Sequence, residues 1–88
     1  MDLSWEIELG SRKMFEMKST DDLIRIAAAG GGFEIKAGLR STNDLIRIAA
    51  AASNHKSRLV FRGCGLKATD DLIRIAAAGK GAVMFGDD

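Results

Sequence analysis

Eight residues, Asp-Leu-Ile-Arg-Ile-Ala-Ala-Ala, stand three times in this chain of 88, at 22–29, 44–51 and 71–78. A polar pair leads into each copy (Thr20-Asp21, Thr42-Asn43, Thr69-Asp70), and a segment with strand character follows each. A helix plus a strand of this size cannot bury an apolar face alone, so such units have to stack on copies of themselves. At this length the chain accommodates one domain and one core, which places the whole of 1–88 in a single unit.

Within each copy the apolar residues fall at helical spacing. Leu23, Ile26 and Ala27 lie at i, i+3 and i+4, Ile24 and Ala28 widen the stripe, and Arg25 points away from it. The equivalent stripes are Leu45, Ile48, Ala49 and Leu72, Ile75, Ala76. Ser19 or Thr20 can cap the first helix, Asp21 and Asp22 suit the positive end of its dipole, and Gly30 supplies a stop. Helices are therefore expected near 20–29, 42–52 and 69–78. The three arginines face acids at favourable helical spacing, Asp21 and Asp70 at i−4 and Asp22, Asp44 and Asp71 at i−3. They read as a ladder of surface ion pairs.

Between the helices the period changes to two. Phe33, Ile35, Ala37 and Leu39 alternate with Glu34, Lys36 and Gly38, the pattern of a strand with one buried face. The run 59–62 gives the next strand and 82–86 the last. At the start, Trp5-Glu6-Ile7-Glu8-Leu9 and Phe15-Met17 alternate about a turn at 10–13, so 1–18 reads as a hairpin that caps the stack. Strand-helix-strand connections make the later strands parallel. The expected fold class is α/β, a short solenoid-like array with a mostly parallel sheet, three helices on one face and the other face open. Its last strand would leave an edge able to form a homodimer or accept a partner strand.

Repeated strand-helix units with a free sheet face over 14–86 resemble the leucine-rich repeat proteins, without their leucine and asparagine consensus. That resemblance implies a binding surface on the open sheet. The order of elements from Phe33 through Ala78 is also similar in outline to the phosphocarrier proteins of sugar uptake. That family acts through a histidine at the start of its first helix, and the single histidine here, His55, follows the second helix instead.

Charge is unevenly spread. Residues 1–35 carry four basic and seven acidic side chains, residues 68–88 two and four, and residues 36–67 seven and one, for a chain total of +1. The basic middle collects Lys36, Lys56, Arg58, Arg62 and Lys67 around His55, and these six residues form the candidate partner-binding surface. A protein with an acidic surface is the expected partner. Nucleic acid is the alternative, although its binding favours exposed aromatics among the charges, and Phe33 and Phe61 fit core positions.

No chemistry-bearing motif stands out. Gly63-Cys64-Gly65-Leu66-Lys67-Ala68 matches a phosphate-cradling spacing, but the helix begins later, at Thr69, so a turn is the better reading. Cys64 is the single cysteine, which forbids an internal disulfide, and no base and orienting group accompany it. One histidine and one cysteine are too few for structural zinc, and the aspartate pairs lack the spacing of a calcium loop. A non-enzymatic interaction or adaptor module without cofactor or metal is expected. Acidic Asp2, Glu6 and Glu8 stand where a secretory signal would be basic, and Arg25, Arg47 and Arg74 interrupt the apolar stretches. These features suggest a cytoplasmic protein without a membrane segment.

Overall fold

A computed structural model describes residues 18–54 and 57–87. The chain runs α1 (Thr20–Ala28), β1 (Phe33–Lys36), α2 (Thr42–Ser53), β2 (Leu59–Arg62), α3 (Thr69–Gly79) and β3 (Val83–Phe85). The three strands form one parallel sheet in the order β1-β2-β3, with Phe33 beside Leu59 and Leu59 beside Val83. The described residues make a small α/β fold of three helices and a three-stranded parallel sheet. The hairpin expected over 1–18 lies almost wholly outside the described residues.

The two periodicities converge on one core. Phe33, Ile35, Leu59 and Phe61 turn inward from the strands and join Leu23 and Ala27 of α1, Leu45, Ile48, Ala49 and Ala52 of α2, and Ile75 of α3. Alternate strand residues Glu34, Lys36 and Arg62 remain exposed, so the opposite sheet face is open. Small side chains at Ala27, Ala49 and Ala52 let the helices lie close, and all three are fully buried. No helix among the described residues is long and apolar enough to cross a membrane.

The ends of the helices follow local chemistry. Ser19 and Ser41 cap α1 and α2, each Oγ accepting the N–H of the third helical residue, Asp22 or Asp44, at 3.1 Å. Thr20, the other candidate cap, instead donates its hydroxyl to Asp44 of the next helix at 3.2 Å. At the far end of α1, Gly30 takes φ +93 while the Gly30 and Gly31 N–H groups return to the carbonyls of Ala27 and Ile26. That is a Schellman closure, and it gives the stop expected at Gly30 a fixed helix-ending geometry.

Three expectations need correction. The first strand stops at Lys36: the Arg40 N–H bonds the Ala37 carbonyl at 3.0 Å, and the resulting turn throws Leu39, expected on the inward face, fully into solvent. The apolar stripe of α3 is only partly used, because Ala76 is exposed and Leu72 half-buried where no further helix among the described residues covers them. The arginines pair at i−3, with Arg25–Asp22 and Arg47–Asp44 at 3.9 Å and Arg74–Asp71 at 4.0 Å. Asp21 reaches across to Arg47 at 3.2 Å in place of its expected i+4 partner.

Candidate functional site

Parallel strands bring their carboxyl ends to one edge of the sheet, where the connections to the helices form a shared rim. In this protein the rim is built by the β1–α2 and β2–α3 loops. Gly38 makes the approach possible, since a Cβ there would run into the carbonyl oxygen of Gly63. Gly63 itself sits at φ +72, in the left-handed region that only glycine adopts without strain.

The two loops carry the same tripeptide logic, Gly38-Leu39-Arg40 and Gly65-Leu66-Lys67, each four residues ahead of the repeated aspartate at its last member. Both leucines are fully exposed. With Lys36, Gly38, Gly63 and Lys67 they line an open depression of about 540 Å³. Behind them the loop cations tie one unit to the previous one. Arg40 donates to the Lys18 carbonyl at 2.8 Å and to Thr20 Oγ1 at 3.2 Å, and Lys67 Nζ donates to the Arg40 carbonyl at 2.9 Å.

The six residues of the basic surface are divided by the fold. Lys36 and Arg62 end adjacent strands in register, and Lys67 lies on the loop above them. Arg58 precedes β2 at the opposite end of the strand, about 13 Å away at the usual rise per residue. His55 and Lys56 lie outside the described residues. Arg62 is also neutralised, its guanidinium pairing with Glu34 of β1 across the open face. Lys36 and Lys67 are therefore the cations that border the depression, and Lys67 donates to the neutral Arg40 carbonyl.

Leu39 and Leu66 were not among the residues expected to matter. Their signal in the sequence is positional: a leucine following glycine in the same place of two turns, just ahead of a helix cap, where an apolar side chain has no core to enter. Cys64, the third feature of this loop, is 1% exposed, and burial raises its pKa against the opposing pull of Lys67. It is a core side chain beneath the rim, as the turn reading expects.

No family model matches the chain, and neither a curated protein nor a solved structure matches it. The reading of the site rests on its own geometry.

Proposed function

We propose that this chain is a non-enzymatic interaction module, a short solenoid-like stack of α/β units in the cytoplasm. It would present the carboxyl rim and open face of its sheet to a protein with an acidic surface. The observation that carries the reading is the pair of fully exposed leucines, Leu39 and Leu66, at equivalent places on the rim with Lys36 and Lys67 beside them. An exposed leucine gains about 1.5–3 kcal/mol when fully buried, so a partner that covers both has a substantial apolar anchor. The flanking ammonium groups favour carboxylates around that anchor and hasten encounter more than they hold the complex. A leucine anchor suits a protein surface better than a nucleic-acid strand, whose bases stack on aromatic rings. The single buried free thiol is compatible with a reducing compartment.

The test is affinity capture from nuclease-treated lysate of the source cells, comparing the native chain with Leu39→Ser/Leu66→Ser and with Lys36→Glu/Lys67→Glu. A protein retained by the native chain and lost from both variants, each of which keeps its native circular dichroism, is the expected result. Retention that survives both changes removes the rim from consideration. Retention that appears only without nuclease transfers the role to nucleic acid.

A further inference from the structure

The junction between the first two units is built from positions that recur along the chain, with Asn43 in unit two where Asp21 and Asp70 stand in the others, and the first and last units each hold one half of it. At the first junction, Asp21 of α1 pairs with Arg47 of α2 at 3.2 Å, and the Thr20 hydroxyl donates to Asp44 at 3.2 Å. In the loops, each cation four residues ahead of the repeated aspartate donates to the backbone carbonyl at the same place one unit earlier: Arg40 to Lys18, and Lys67 to Arg40. Unit three carries the leading half of this set, Thr69 with its hydroxyl donor and the two acceptors Asp70 and the Lys67 carbonyl. Unit one carries the matching half, the acceptor Asp22 and the donors Arg25 and the Lys18 ammonium.

Among the described residues, burial marks the same two faces as incomplete. Ala27 and Ala49 are fully buried by the unit that follows them, whereas Ala76 is exposed. Ile35 and Phe61 are buried, whereas Phe85 in the equivalent place is 37% exposed and Ile73 of α3 is 58% exposed. On the other flank, Ile48 and Ile75 are buried by the unit before them, whereas Ile26 is half-buried and Ala29 exposed. The side chain of Arg25 is 84% exposed.

We propose that the chain associates head-to-tail with a second copy of itself, the outer flank of α3 in one molecule docking against α1 of the next. Asp70 then meets Arg25 as Asp21 meets Arg47, Thr69 meets Asp22 as Thr20 meets Asp44, and Lys18 donates to the Lys67 carbonyl. Ile73 and Ala76 leave water against Ile26 and Ala29. The contact uses two different surfaces, so it is heterologous and leaves a free end of each kind after every addition; it grows into chains or closes into rings.

Sedimentation equilibrium of the full chain over a concentration series tests this. The mass average should rise past that of two molecules, and Asp70→Arg or Arg25→Asp alone should weaken association roughly fivefold to tenfold by placing like charges together. A one-to-one mixture of the two single variants restores opposite charges at every junction and should regain assembly, as should the double variant. Ile73→Glu, at an exposed position that the fold of the single molecule does not need, should abolish assembly while circular dichroism stays native. A chain that remains monomeric throughout overturns the proposal. So does a mass that stops at two, or a mixture of the single variants that gains nothing.

Discussion

Cys64 shows how one side chain reports on its surroundings. Its sulfur lies 3.8 Å from the Arg62 carbonyl oxygen, under the loop that carries Leu66, and solvent scarcely reaches it. Burial disfavours the thiolate and lifts the pKa from its ordinary value of 9.0, and the nearby Lys67 charge opposes this only in part. Labelling by a thiol reagent at neutral pH should therefore be at least about 100-fold slower in the folded chain than in denaturant, as stopped-flow measurement would show. The same shift fixes a pH dependence. Above pH 9 the unfolded chain loses the thiol proton before the folded one does, so stability falls as pH rises through that window and is unaffected by this group below it. Denaturant midpoints between pH 8 and 10.5, set against those of Cys64→Ala, isolate the contribution. The burial of this thiol also explains why a loop with the spacing of a phosphate cradle is a turn: its middle residue faces the core.

At the scale of the element, the three helices share a sequence and differ at their ends. Ser19 and Ser41 cap α1 and α2, whereas Ala68 holds that place in α3 with φ −62 and ψ 145 and no side-chain acceptor. Its backbone already has the extended shape of the two serines, so Ala68→Ser should add the missing bond to the Asp71 N–H. The expected gain is about 1 kcal/mol, read as a higher midpoint in urea or heat. The helices were legible because the spacing of Leu23, Ile26 and Ala27 and their copies belongs to one periodicity. The end of β1 was not, since Leu39 continues the alternation of Phe33, Ile35 and Ala37 by residue type alone. What ends the strand is the approach of Gly38 to Gly63, a contact between residues 25 positions apart that no local pattern encodes. The rim was half legible for a related reason: charge identified Lys36, Arg62 and Lys67, but the pairing of Arg62 with Glu34 depends on strand register.

In the whole molecule the middle unit is flanked on both sides and the last on one. Leu45, Ile48, Ala49, Ala52, Leu59 and Phe61 are fully buried, and Val83, Met84 and Phe85 are not. Amide exchange followed by mass spectrometry should therefore find α2 and β2 the slowest and β3 the fastest among the regular elements of α2 to β3. Exchange that is uniform across these elements would indicate that they open as one unit. The repeated helices carry a different consequence for a chain in the act of folding. Helix α3 offers α1 nearly the same surface that α2 does, so an early encounter that skips the middle unit is hardly less favourable than the correct one. The discriminating contacts are the few that the copies do not share. Ser57, buried and donating to the Ala27 carbonyl at 2.8 Å, anchors the second connection to α1 and to no other helix. A bond of ordinary strength in the finished structure thus acts as a proofreading mark, setting the order of otherwise interchangeable pieces.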